Sequence, residues 1–518
     1  MDTFRRLPIG VQDFEKLRTA ECVYVDKTEY IYKLTREVAP YFLGRPRRFG
    51  KSLFLSTLRY YFEGRKELFE GLKITEFEKE WVEHPVFYID FNRGGFESLQ
   101  SLNSVLNYNL TLIESQWGKT DTAQSLSVRF STLIKNAHEK SGKKVVVLID
   151  EYDKPLLSTM DEEKLNEEMR KVLKGFYGVL KAEDTHLRFV FLTGVTKFSQ
   201  VSIFSDLNQL QDISLDSRFS GICGISETEL LANFEPEINA LAAKNNTSNN
   251  EVCVSLKKRY DGYRFSENME GMYNPFSLLN TFSSQTFRYY WFATGTPTFL
   301  VKMIKNAGMN LPDFENNVTI AANSIMDYRI ENLDPVPVLY QSGYLTIKSY
   351  NQAFDEYILG YPNEEVKYGF LNELAMSYLP VSSEFDCRRF CKDLIAGNVE
   401  QFMLRLQSFF AGIPYDLENK SEKHYHTAFY LLFAMMGQFI KVEEHSAVGS
   451  ADAIVELADT IYIFEFKLTG NASAEIALQQ IDAKNYAAKY RLSGKKIIQI
   501  GVTFDNDKRT VGEWLVKE

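Results

Sequence analysis

Four short apolar runs without polar alternation punctuate the first 195 residues: Val38–Leu43, Val86–Asp90, Val145–Ile149 and Leu187–Leu192. Helix-like stretches separate them, at Ser52–Phe62 and at about 97–117, 123–139 and 161–182. Strands of this kind are buried on both faces, so the order predicts a parallel sheet with helices on either side. The middle of the chain, about 225–370, is rich in aromatics and turn signals, among them Tyr260-Asp-Gly-Tyr-Arg-Phe265, Tyr273-Asn-Pro-Phe-Ser277, Gly295-Thr-Pro297 and Tyr361-Pro-Asn-Glu364. It predicts helices with short hairpins. From about 395 the pattern changes again. Helices at 395–410 and 420–437 precede strands near 439–445, 451–457 and 460–467, then a helix over 472–490 and a strand at Lys496–Phe504. The chain thus divides into an α/β domain (1–225), a mainly helical region (226–394) and a second α/β domain (395–518).

Composition narrows the function classes. With 59 Lys and Arg against 69 Asp and Glu, the net charge is −10, which excludes a surface basic throughout but not a local basic cleft. Residues 1–65 carry 13 basic and 8 acidic side chains, so that end could meet phosphates. Apolar residues at 45% and charged residues at 25% fit a packed globular chain. The 5 cysteines are too scattered for a disulfide framework. Cys387 and Cys391 stand at i, i+4, but no histidine lies within thirty residues, so a zinc site lacks ligands. The N-terminal stretch has no apolar core of a signal sequence, and the longest apolar run, Ala428–Gly437, is half of the ~20 residues a span needs. A cytoplasmic protein without a membrane partner is expected.

Two places carry chemistry. In Arg45-Pro-Arg-Arg-Phe-Gly50-Lys51-Ser52, a strand turns into a helix through a glycine-lysine-serine turn. Backbone N–H groups at such a turn attract phosphate oxygens, Lys51 can reach the β- and γ-phosphates, and Ser52 can sit on Mg²⁺. Arg45 occupies the position where the usual pattern has its first glycine. The strand Val145–Ile149 ends in Asp150-Glu151, where Asp150 would hold Mg²⁺ and Glu151 would polarise the attacking water. Thr193 ends another buried strand and could bond the γ-phosphate or that water. The bland alternative is a basic helix start and an acidic cap.

The segments LPIGVQDFEKLRTAECVYVDKTEYI, RPRRFGKSLFLSTLRYYFEG, VVVLIDEYDKPL and FLTGVTKFS resemble the bacterial AAA-ATPase-like family, as do DLNQLQDIS, YDGYRF and YNPFSLL. The resemblance covers about residues 4–280 and implies a P-loop NTPase sheet that takes ATP and Mg²⁺. It implies ordinary nucleotide roles for Lys51, Ser52, Asp150 and Glu151. Arg48, Gly50 and Thr193 complete the expected nucleotide set. In that family RPRRFGKS is the expected loop, so Arg45 is a family trait. Asp26 and Lys27 belong to the same pattern without a derivable role.

The second place is Asp452 followed by Glu465-Phe466-Lys467. Alternate residues of a strand share a face, so Glu465 and Lys467 point together. A hairpin through Leu457-Ala-Asp-Thr460 brings Asp452 beside them, and two carboxylates can bind Mg²⁺ while a lysine orients water. A surface salt bridge on an amphipathic hairpin is the plain alternative. The stretches HTAFYLLFAMMGQFIKVEEHSAVGSADAIVEL, IYIFEFKLTGNASAEIALQQIDAKNYAAKY and KKIIQIGVTFD are similar to the PD-(D/E)XK nuclease-like domain joined to this ATPase family. The similarity implies a restriction-endonuclease-like fold, with Asp452 and Glu465 as metal ligands, Lys467 as catalytic lysine and Gln480 as an accessory polar residue. Glu422 is either a further acid or an exposed charge. Where the family usually carries an arginine, this chain has Ser450.

The combination implies an ATPase coupled to a Mg²⁺-dependent nuclease acting on nucleic acid, DNA by preference. The competing reading is an ATP-driven switch whose C-terminal domain binds nucleic acid or protein without cutting. Homo-oligomerisation is left open, with Arg218 a weak candidate for an arginine finger.

Overall fold

The computed structural model describes the chain except residues 1–4, 38, 198–208, 268–269, 292–297, 327–333, 379–386, 413–421, 445–451, 469–472, 506–507 and 509. It separates into two compact units, Met1–Gly308 with Asp313–Lys367, and Met309–Pro312 with Tyr368–Glu518. Among the described residues no helix is long and apolar enough to cross a membrane.

The first unit is built on five strands: β1 (Pro40–Gly44), β2 (Val86–Asp90), β3 (Val145–Asp150), β4 (Leu187–Gly194) and the short β5 (Gln211–Asp212). They run parallel in the order β2-β3-β4-β1-β5. β3 is buried at every position, as its unbroken apolar run requires of a strand covered on both faces. The covering helices include Lys51–Phe62, Leu99–Trp117, Leu126–Ser141 and Glu163–Ala182, close to the predicted limits. Their ends follow local chemistry. Ser98 and Ser101 form a reciprocal capping box at the start of Leu99–Trp117. Ser125 caps Leu126–Ser141, and Gly142, at φ 65°, ends it.

After β5 the same unit continues with helices Glu227–Asn233, Glu235–Asn245, Asn249–Tyr260 and Pro275–Ser284, and with the antiparallel strands β6 (Val318–Ala321), β7 (Thr346–Asn351) and β8 (Glu356–Gly360). Helices with short hairpins were expected here. The turn Gly295-Thr-Pro297 lies outside the described residues.

The second unit carries the sheet β13-β12-β11-β10-β9, with β9 (Lys441–Glu444), β10 (Ala453–Glu456), β11 (Thr460–Leu468), β12 (Lys496–Asp505) and β13 (Thr510–Lys517). β11 pairs parallel with β12 and the other neighbours are antiparallel. Three expectations need correction. The helix predicted at 395–410 begins at Val399, because Gly397 takes φ 70° and Asn398 caps the new start; a separate helix, Cys387–Ile395, precedes it. The helix predicted to run to 490 ends at Ala483, where Asn485 adopts φ 53° and breaks the right-handed path. β13 was not anticipated at all. Cys387 and Cys391 are buried, and their thiols face the carbonyls of Met435 and Met436 at 3.9 Å.

One buried acid of the first unit has a measurable consequence. Glu365 is fully buried and accepts from Ser277 Oγ at 2.7 Å and from the Trp291 backbone N–H at 2.9 Å. Burial pushes its carboxyl up from 4.5 to about 7. The folded chain then holds this proton more tightly than the unfolded chain, so the group's contribution to stability falls as pH rises from 4.5 and is fully lost above about 7. Glu365→Gln mimics the neutral form. Relative to the parent, the variant should gain about 3 kcal/mol of stability between pH 4.5 and pH 8. Urea denaturation at both pH values checks this; a gap that does not widen with pH contradicts it.

Candidate functional site

The parallel register decides what meets at the C-terminal edge of the first sheet. Gly44 pairs with Gly194, Leu43 with Thr193, Ile149 with Leu192 and Asp90 with Asp150. The turn leaving β1 and the acids ending β3 are therefore neighbours across β4. Gly50 begins the helix Lys51–Phe62 at φ 96°, a left-handed conformation that L side chains rarely adopt. Lys51 is only 4% exposed, and its ammonium donates back to the carbonyls of Arg45 at 2.9 Å and Pro46 at 3.1 Å.

Asp150 is 2% exposed. Its Oδ1 accepts from Thr193 Oγ at 2.7 Å, and Tyr88 approaches Oδ2 at 3.4 Å. Burial raises its carboxyl above the usual range, while hydrogen bonds from Ser52 and Thr193 and the charge of Lys51 pull it down. Lys51, Ser52, Asp150 and Thr193 thus stand together, and Glu151 follows on the turn at φ 51°. Such a group can neutralise phosphates, hold a divalent cation and place a base beside it.

The loop itself is held from outside. Arg45, at the position of the missing glycine, is 1% exposed, and its guanidinium donates to Gly44 O at 2.8 Å, Ser214 O at 2.7 Å and Phe219 O at 3.2 Å. It also lies 4.0 Å from the Phe265 ring. Pro46 packs on Gly343, where an added Cβ would come within 2.8 Å, and the Trp291 indole donates to Arg47 O at 3.2 Å. Phe49 meets Tyr263 at 4.8 Å. Arg45 is therefore an anchor that fixes the loop without a glycine. Arg48, expected at the nucleotide, lies on the loop's exposed rim with its guanidinium 4.1 Å from the Phe276 ring. Arg218 is paired with Asp216 at 2.7 Å and Glu37 at 3.3 Å.

Two residues without a derivable role now have contacts. Asp26 accepts from Thr28 N–H at 2.9 Å and from Lys73 N–H at 2.8 Å, fixing the start of the helix Thr28–Arg36. Lys27 is buried and bonds Glu229 at 2.6 Å and Gly221 O at 2.8 Å; burial lowers its ammonium pKa against the pull of Glu229. An apolar cavity opens between these groups and the loop, lined among others by Pro8, Val25, Gly50, Leu53, Ile225 and Leu279. The sequence reading missed this cavity, because its lining comes from stretches far apart in the chain, near residues 8–27, 49–54, 222–234 and 275–279.

In the second unit β10 and β11 form the expected hairpin, Ala453 opposite Phe464, closed by Leu457 N–H to Thr460 O at 2.8 Å. Asp452, just before β10, accepts from the Phe466 N–H at 2.7 Å. Glu465 is 2% exposed, and its Oε1 accepts from Lys467 at 2.7 Å and from the Gln480 amide. Phe466 points to the other face, 4.3 Å from Phe429. Burial, then the charge of Asp452, raises the Glu465 carboxyl, and Lys467 opposes the shift. Oε2 of Glu465 is buried with no hydrogen-bond partner among the described residues. A carboxylate in that state, facing a second carboxylate, fits a cation. Ser450 and the side chain of Glu422 lie outside the described residues.

Comparison with known proteins agrees with both halves. Residues 8–204 match the family described as "Predicted AAA-ATPase", and residues 420–514 match the "PD-(D/E)XK nuclease superfamily". An "Uncharacterized protein in vnfD 5'region" of Azotobacter chroococcum mcd 1 is 38% identical over 525 residues, covering 99% of each chain. The solved "Structure of the Aeropyrum Pernix ORC2 protein (ADPNP-ADP complexes)" aligns with 72% of this chain and 97% of its own, at 12% identity and a TM-score of 0.25. The chain belongs to a family of predicted AAA-ATPases that carry a C-terminal domain of the PD-(D/E)XK nuclease superfamily.

Proposed function

We propose that the protein binds and hydrolyses ATP with Mg²⁺, and that its C-terminal domain is a Mg²⁺-dependent nuclease acting on nucleic acid, DNA by preference. Residues 1–225 are the ATPase domain, 226–394 a helical region and 395–518 the nuclease-like domain. The observation that carries the first half is the convergence of Lys51, Ser52, Asp150 and Thr193 beside a loop fixed by Arg45.

In this reading Lys51 exchanges two backbone carbonyls for phosphate oxygens, a charge-assisted contact that is stronger than those it leaves. Ser52 and Asp150 would hold Mg²⁺, which supplies charge neutralisation for the departing phosphate. Gly50 lets the backbone approach the phosphates, and Arg48 reaches them from the rim by leaving Phe276. Glu151 takes the proton of the attacking water, while Thr193 fixes Asp150 through its 2.7 Å hydrogen bond. The apolar cavity beside Gly50 suits the base.

At the second site Asp452 and Glu465 would hold Mg²⁺, Lys467 would orient water towards a phosphodiester, and Gln480 keeps Glu465 in place. The unpartnered Oε2 of Glu465 supports this half. Ser450, in place of the family's arginine, favours the second reading, a C-terminal domain that binds without cutting.

For the first site, Lys51→Ala should lose about 1.5–3 kcal/mol of ATP binding, roughly 10- to 100-fold in affinity. Glu151→Gln should bind ATP like the parent while hydrolysis falls about 10²–10⁴-fold. Calorimetry with ATP and Mg²⁺, beside phosphate release, separates the two; unchanged affinity in Lys51→Ala rejects the loop assignment.

For the second site, Mg²⁺ should raise the melting temperature of the parent. Glu465→Gln should melt higher than the parent without metal, because it removes a buried repelling charge, and should show no Mg²⁺ response. Plasmid cleavage with ATP and Mg²⁺ or Mn²⁺ should disappear in the same variant. A parent that cuts neither DNA nor RNA, yet keeps the Mg²⁺ response, rejects the nuclease reading and favours a domain that binds without cutting.

A further inference from the structure

Glu151 stands at φ 51°, a left-handed conformation that a non-glycine residue holds only when its surroundings impose it. Its neighbours show the constraint. Tyr152 N–H donates to Thr193 O at 3.0 Å, and the Tyr152 hydroxyl donates to Thr196 O at 2.7 Å. Asp153 accepts on one oxygen, Oδ2, from Val195 N–H at 2.9 Å and Thr196 N–H at 2.6 Å. Both residues are essentially inaccessible, Tyr152 at 0% and Asp153 at 1% exposure. With the bond from Thr193 Oγ to Asp150, these contacts stitch the turn after β3 to the chain that leaves β4.

From this geometry we infer that Asp153 is a positioning residue for hydrolysis: it locks the turn that presents Glu151 against the segment Thr193–Thr196. The inference rests on the ATPase reading and adds a residue to it. Asp153 touches neither Lys51 nor Ser52 by hydrogen bond among the described residues, and it is too deeply buried to meet solvent or substrate. Its role is to hold direction. Its side-chain hydrogen bonds all run through Oδ2; Oδ1 has no hydrogen-bond partner among the described residues. One acceptor oxygen is therefore what the turn requires, and an asparagine supplies it.

A misdirected base costs turnover and leaves phosphate binding intact. Asp153→Ala should lower kcat about 10- to 100-fold, with ATP affinity within about twofold of the parent. Asp153→Asn should restore most of the turnover. In a Glu151→Gln background the alanine should add less than about a twofold change, since the group it aims is already gone. Steady-state hydrolysis and calorimetry on the full chain read these values. Parental kcat in Asp153→Ala, a loss of affinity as large as the loss of kcat, or losses that multiply in the double variant, each overturn the inference. If Asp153→Ala does not fold, Tyr152→Phe carries the test, because it keeps the ring and removes the hydroxyl that bonds Thr196 O: reduced kcat at unchanged affinity supports the inference and parental kcat overturns it. Parental hydrolysis by Glu151→Gln would sink the base assignment and this inference together. An inactive Glu151→Gln beside a fully active Asp153→Ala would sink this inference alone.

Discussion

The position of β4 between β1 and β3 is the constraint on which the first unit depends. Two strand spacings, about 10 Å, separate the backbone of the phosphate-loop strand from that of the acidic strand. Side chains cross that gap, and the last residues of β4 fill its middle. Thr193 is buried and bonds Asp150 at 2.7 Å, so the acid's direction is set by a neighbour rather than by solvent. The same strand end receives the turn of Tyr152 and Asp153. The loop on the far side needs its own support, and Arg45 provides it by placing a buried guanidinium among four backbone carbonyls and an aromatic ring. Among the described residues no carboxylate hydrogen-bonds this buried cation, which is costly, and its carbonyl and ring contacts are what offset the lost water.

The C-terminal domain solves a related problem with fewer groups. One hairpin sets Asp452 against the backbone of Phe466 and brings Glu465 to the same face. The helix Ala474–Ala483, which carries Gln480, packs over the face of β11 that holds Glu465, so Glu465 is desolvated as a consequence of packing. Lys467 and Gln480 satisfy only one of its oxygens. The imbalance is what makes a cation a suitable partner.

Much of this was legible in the sequence, and the reasons differ by element. β2 and β3 are short apolar runs bounded by polar turns, and their observed limits match the pattern. Lys51, Ser52, Asp150 and Thr193 could be placed because strand ends in a parallel sheet share one edge. β13 could not, because Thr510–Lys517 alternates apolar and exposed positions weakly and has a neighbour on one side only. The stop at Asn485 depends on a single left-handed residue inside a helical pattern. The contacts of Arg45, Trp291 and Glu365 were illegible for another reason: each joins residues far apart in the chain. Arg48 shows the limit of motif reasoning, since its place in the loop is as expected while its guanidinium lies on Phe276.

The most direct measurement is a crystal structure of the full chain with a non-hydrolysable ATP analogue and Mg²⁺. The Lys51 ammonium should have left the carbonyls of Arg45 and Pro46 for the phosphates, with the metal between Ser52 and Asp150 and the base in the cavity beside Gly50. A nucleotide bound elsewhere, or Lys51 still on its two carbonyls with the analogue present, would contradict the assignment.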